Sequence, residues 1–189
     1  MTSPPRRAAA GAAGVAAAER HARRNMNSVW RPAYVAIGSN LNRPPERVLE
    51  AFERLAALRA TRLVARSRMY RTHPMGPQDQ PEYVNAAAGL LTELSARELL
   101  DALLEVERAM GRDRQERWGP RIIDLDLVWM VGPVIAEEGL AVPHPGVSMR
   151  NFVLYPLADI APTLEIPGHG LVAELKERAG GDGISILEQ

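Results

Sequence analysis

Asp124 and Asp126 lie two residues apart in RWGPRIIDLDLVWM, residues 117–130, where the run from Ile122 to Met130 otherwise reads as a buried β-strand. Strand side chains alternate faces, so both carboxylates point the same way, roughly 7 Å apart. Two like charges on one half-buried face repel, and leaving them unpaired costs several kcal/mol per ion. Such a pair calls for a cation. One chemistry that suits it is a pair of Mg²⁺ ions bridged by carboxylates about 3.5–4 Å apart. A solvent-facing pair at a sheet edge is the plainer alternative.

The surroundings favour phosphate chemistry. Arg108, Arg112, Arg114, Arg117 and Arg121 fall within fourteen residues of a chain whose formal net charge is zero. Gly111, Gly119 and Pro120 make that segment a loop, so the guanidinium groups are not one solvated helix face. Guanidinium forks beside carboxylates that hold Mg²⁺ are what transfer of a polyphosphate group requires. No P-loop sequence is present. Tyr83 and Asn85 alternate on a second strand and share a face. An Asn amide reads the edge of a heterocycle, and a Tyr ring packs beside one.

These residues need a scaffold. The 189 residues, 46% hydrophobic and 24% charged, fit one soluble domain. Zero net charge argues against general affinity for nucleic acid or anionic membrane. The chain has no cysteine, which excludes disulfides, thiolate nucleophiles and Cys-ligated zinc. No apolar run is long enough to span a membrane, and a cytoplasmic location is expected. Residues 1–30, rich in Ala, Gly and Arg, read as a disordered extension, with the folded domain over 32–189.

Residues 33–37 predict a strand closed by a Gly38-Ser39-Asn40 turn. Pro44-Pro45 open a helix with Val48, Phe52, Leu55 and Leu58 on one face. Residues 62–71 read as a second strand, and a long Pro/Gly/Gln loop leads to a third over 83–94. Ser95 and Glu98 form a capping box ahead of a helix carrying Leu99, Leu103, Val106 and Met110. The fourth strand is 122–130. This β-α-β-β-α-β order predicts an α+β, ferredoxin-like sandwich. An added hairpin over 132–139 and one or two C-terminal helices complete it. Both long loops, 72–82 and 111–121, flank the aspartate strand, as functional loops do.

With those segments in place, RWGPRIIDLDLVWM resembles the signature of the 6-hydroxymethyl-7,8-dihydropterin pyrophosphokinase family. YVAIGSNL (34–41), YRTHPMGPQDQPEYVNAA (70–87), the ExxxxGR from Glu107 to Arg112, and VPHP (142–145) resemble other family segments in order. The likeness runs from about Tyr34 to Pro162. It implies a ferredoxin-like enzyme of folate biosynthesis that moves pyrophosphate from ATP to the pterin hydroxymethyl oxygen and releases AMP. It further implies that Asp124 and Asp126 hold two Mg²⁺ ions and that Arg112 and Arg121 stabilise the transferred group. Glu107, Arg114, Arg117, Leu127, His144 and Arg150 are implied to contact ATP. Thr72, Met75, Tyr83, Asn85 and Phe152 are implied to form the pterin pocket, with Trp118 closing over it. A monomer acting on small molecules is expected. Two other readings are weighed: a different metal-dependent nucleotidyl or phosphoryl transferase, and an RNA-binding module of the same fold. The latter needs exposed strand aromatics and a basic surface; two Phe and a carboxylate-bearing strand speak against it.

Overall fold

The computed structural model of the chain describes residues 29–75, 77, 79–112 and 119–188. Of the extension read above over residues 1–30, residues 1–28 lie outside that set. The domain is built on an antiparallel sheet. Strand β1 (Arg31–Ser39) lies between β4 (Tyr83–Thr92) and β5 (Asp124–Met130). On the far side of β4, β2 (Thr61–Arg66) and β3 (Tyr70–Thr72) pair with its two halves. Taking β2 and β3 as one interrupted strand, the spatial order is second, third, first, fourth, the arrangement expected of a ferredoxin-like sandwich.

Two helices cover one face. In α1 (Pro44–Ala56), prolines preset the first turn and Val48, Ala51, Phe52 and Leu55 are buried. In α2 (Ala96–Ala109), the Ser95–Glu98 capping box satisfies the first-turn N–H groups, and Leu99, Leu103 and Val106 are buried. They pack on Ala33, Val35 and Ile37 of β1, Ala86, Ala88 and Leu90 of β4, and Leu125 and Leu127 of β5. Each large apolar side chain buried there contributes about 1.5–3 kcal/mol.

The opposite face is covered as well. Helix α3 (Asn151–Ile160) lies on it, and α4 (Val172–Ala179) packs beside α3. Their core includes Val128, Val153, Leu154, Leu157 and Leu175. Burial on both faces explains why β4 runs Ala-Ala-Ala-Gly in its centre: small residues let α3 approach, and Ile160 lies 3.7 Å from where a Cβ at Gly89 would stand.

Four local expectations are revised. Gly38 and Ser39 are the last residues of β1, not a turn. The strand expected over 62–71 breaks at Ser67, which bonds Ala87 through both its N–H and its Oγ and interrupts the ladder. The fourth strand starts at Asp124, not Ile122, so the carboxylates stand at its opening end. The hairpin falls at β6 (Ile135–Glu137) and β7 (Leu140–Val142), turning at Glu138-Gly139. Beyond them a two-stranded pair, β8 (Glu165–Ile166) and β9 (Gly170–Leu171), precedes α4. A last strand, β10 (Ile184–Ile186), joins the main sheet beside β3.

Candidate active site

The α3 face of the sheet is left open at one end. Across three strands, Asn85 of β4 pairs with Gly38 of β1, which pairs with Asp124 of β5. One step along, Ala87, Ala36 and Asp126 form the parallel row. The central strand offers only Gly and Ala, so amide and carboxylates face one another over a bare floor. Above this floor lies a cavity of about 880 Å³.

Most residues singled out from the sequence meet there. Thr72, Met75, Tyr83, Asn85 and Phe152 line one part of the cavity, and Arg112, Arg121, Asp124, Asp126, His144 and Arg150 the other. Asn85 Nδ2 donates to Thr72 Oγ1 at 2.7 Å. Burial pushes the Tyr83 hydroxyl up, and that hydroxyl donates to Gly119 O at 3.3 Å. His73 is exposed at the rim, with Nε2 3.5 Å from Glu82 Oε1.

Two expected ATP contacts are placed elsewhere. Leu127 points to the opposite face, in the core under α1 and α2. Glu107 is 2% exposed and reaches β5 from α2, where it accepts from Leu125 N at 2.7 Å and from Arg112. Burial pushes its carboxyl up against the opposing pull of those two donors. Arg114, Arg117 and Trp118 lie outside the described residues.

The electrostatics centre on the carboxylate pair. Arg112 reaches Asp124 Oδ1 at 2.7 Å, and Arg121 reaches Asp124 Oδ2 at 2.7 Å. Among the described residues Asp126 is paired with Arg150 alone, at 3.9 Å, and its side chain is 40% exposed. Burial, and then the Asp124 charge, push Asp126 up to about 6. His144 is pushed down by burial and by Arg150, and its Nδ1 accepts from Gly146 N at 3.0 Å. That bond leaves the proton of the neutral ring on Nε2.

Two polar residues without an assigned role hold the loops. Ser39 Oγ donates to Ile122 O at 2.6 Å. Asn40, 2% exposed, exchanges backbone and side-chain bonds with Arg121, at 3.1 and 2.7 Å. Its Nδ2 donates to Gln80 Oε1 and Pro81 O, at 3.2 and 3.1 Å. One side chain thus ties the ends of both long loops together. A polar pair directly after an apolar strand was the available signal, and it also fits an ordinary turn.

The pair Asp124 and Asp126 suits a hard divalent cation, since both offer hard oxygen donors and Asp126 stands exposed beside the Asp124 charge. Among the described residues no third His, Asp or Glu joins them in a metal-binding group. Two protein carboxylates are the donor set expected for Mg²⁺, which keeps waters and takes phosphate oxygens. Among the described residues no helix is long and apolar enough to cross a membrane.

The chain is 45% identical over 143 residues to the 2-amino-4-hydroxy-6-hydroxymethyldihydropteridine pyrophosphokinase of Haemophilus influenzae, covering 76% of this chain and 89% of that protein. It is 46% identical over 157 residues to the enzyme of the same name from Pseudomonas aeruginosa, covering 82% and 95%. In fold it is similar to Plasmodium falciparum HPPK-DHPS, solved with pterin and p-hydroxybenzoate, at a TM-score of 0.63 and 13% identity. That match covers 80% of this chain but 44% of the longer one, so the chain spans under half of it. Residues 34–162 match the profile of 7,8-dihydro-6-hydroxymethylpterin-pyrophosphokinase (HPPK), and the chain belongs to that family.

Proposed function

We propose that the cavity over Gly38 carries the family's reaction, with a flat pterin on the Asn85 side and ATP phosphates on the Asp124 side. The reaction is transfer of pyrophosphate from ATP to 6-hydroxymethyl-7,8-dihydropterin in folate biosynthesis. The pterin hydroxymethyl oxygen bonds to the β-phosphorus, the bond from that phosphorus to the α,β-bridging oxygen breaks, and AMP leaves. The hydroxyl proton is lost as the new ester forms.

The observation that carries this reading is the three-strand row Asn85–Gly38–Asp124, which brings an amide and an acid together with no side chain between them. Tyr83 and Phe152 offer aromatic surface to a bicyclic ring, and Asn85 offers hydrogen bonds to its edge. Arg112, Arg121 and Arg150 supply guanidinium donors for nonbridging oxygens, and His144 adds an N–H donor. Two Mg²⁺ ions held by Asp124 and Asp126 would neutralise charge on the polyphosphate. In this reading Glu107 serves by anchoring Arg112 and the edge of β5, while Arg114, Arg117 and Trp118 are assigned to ATP and to closure over the pterin by family resemblance.

Phosphorus NMR of protein, ATP, Mg²⁺ and the hydroxymethyl dihydropterin tests the assignment. AMP and a pterin diphosphate should appear in equal amounts. Stoichiometric ADP would mean ordinary kinase chemistry and would overturn the reading.

A further inference from the structure

We propose that Arg112 and Arg121 act as a lock on the metal site, reserving Asp124 until a polyphosphate arrives to draw the two guanidinium groups away. The inference rests on the reading of Asp124 and Asp126 as metal ligands and adds the order in which the site is filled.

The two carboxylates are treated differently. Asp124 has each oxygen engaged by its own guanidinium at 2.7 Å, whereas among the described residues Asp126 has a single cation, Arg150, at 3.9 Å. Arg112 is itself anchored from behind by Glu107, whose carboxylate is tied to Leu125 N in the strand between the two aspartates. Arg121 is held through its backbone by Asn40. Side chains of Arg112, Arg121 and Asp124 are 13%, 22% and 23% exposed, so these pairs are only partly screened by water.

A divalent cation approaching alone therefore meets one accessible carboxylate, with Arg150 beside it, and a second carboxylate already held by two guanidinium groups. To gain an Asp124 oxygen it must displace the Arg121 hydrogen bond to Oδ2 or the Arg112 ion pair to Oδ1. A polyphosphate changes the balance, because its nonbridging oxygens compete for the same guanidinium forks while the metal takes the vacated Asp124 oxygens. The exchange loses no ion pairing: the two Arg–carboxylate contacts are replaced by two Arg–phosphate contacts, and a metal–carboxylate contact is added. Metal thus enters with the nucleotide, and nucleotide-free protein does not hold it.

The test is protein-bound Mn²⁺, read by electron paramagnetic resonance of the ion released by acid from protein separated from small solutes by rapid gel filtration, with and without a nonhydrolysable ATP analogue. The parent protein alone should bind weakly. Arg121→Met should bind at least about tenfold more tightly, the scale on which a neighbouring opposite charge shifts a carboxylate equilibrium. Arg121→Gln, which keeps a neutral donor, should fall between them and stands in if the first variant does not fold. Arg150→Met removes a charge near Asp126 without freeing a lone pair of Asp124, so its gain should be smaller. With the analogue present, the gap between parent and Arg121→Met should close. Equal affinity of parent and Arg121→Met without nucleotide would overturn the lock, as would an equal gain in Arg150→Met or a gap that the analogue leaves unchanged. A parent that binds no Mn²⁺ even with the analogue would overturn the metal reading itself, and the lock with it.

Discussion

Gly38 and Asn85 face each other across β1 and β4 so closely that a methyl group at residue 38 would stand 3.1 Å from Asn85 Oδ1. The glycine leaves room for the amide and for whatever binds above it. Gly38→Ala should keep the fold, because the position is ordinary strand backbone. It should displace Asn85, at about 1–2 kcal/mol for modest overpacking, which is roughly a tenfold rise in KM for the pterin. The KM for ATP should change much less. Steady-state kinetics on both substrates check this, and equal rises would point to general disruption.

Asn40 should be costlier to lose. Asn40→Ala removes side-chain bonds to Arg121 N, Gln80 and Pro81 O. Leaving such partly buried partners unmatched costs about 1–3 kcal/mol. Hydrogen exchange should accelerate at residues 79–81 and 119–121 before the rest of the sheet. Uniform acceleration through β1 and β4 would show that Asn40 supports the whole domain and not the loops.

Asp126 links stability to pH. Its carboxyl is raised from about 3.8 to about 6 by burial and then by Asp124. A raised acid destabilises the folded chain while ionised, so the penalty is complete above pH 6 and fades as pH falls through that value. In EDTA at pH 8, Asp126→Asn should therefore be more stable than the parent. The gain should be about 1 kcal/mol, kept small because the side chain is 40% exposed and screened. Below about pH 4 the two melting curves should converge. A difference that grows toward low pH would contradict this, and so would a loss of stability at pH 8.

The aspartate pair and the Tyr83/Asn85 pair were legible because strand alternation is a local rule. So was the Ser95–Glu98 capping box, whose two partners lie three residues apart. Gly38-Ser39-Asn40 was read as a turn on composition. Its place in and after β1 depends on Ile122 and Arg121, some eighty residues away, which pair with Ser39 and Asn40. Glu107 could be found as a motif residue. Its position behind the sheet could not, because that depends on how α2 crosses β5. Three-residue β10 carries no periodicity of its own, and only the exposed edge of β3 makes it a strand.

That edge gives the last prediction. Strand β3 has three residues and is held between β4 and β10. On the β10 side, His73 N donates to Gly183 O at 3.1 Å and Leu187 N to Met69 O at 2.9 Å. Behind it, the Tyr70 hydroxyl donates to Asp159 of α3 at 2.9 Å. The strand ends at Thr72, whose hydroxyl accepts from Asn85. Ending the chain after Asp182 removes the β10 bonds and frees the strand that supports the amide. Limited apolar burial goes with it: Ile186 is 48% exposed, and Ile184 and Leu187 are only partly buried, the latter against the main core. The melting temperature should therefore fall by only a few degrees, consistent with about 1 kcal/mol. The KM for the pterin should rise several-fold, on the order of one lost backbone hydrogen bond. Binding of a nonhydrolysable ATP analogue, measured by calorimetry, should be unchanged, because the phosphate side of the cavity rests on β5. A truncated protein with a lower melting temperature but an unaltered pterin KM would mean that β10 only covers the sheet edge and does not position Thr72 and Asn85.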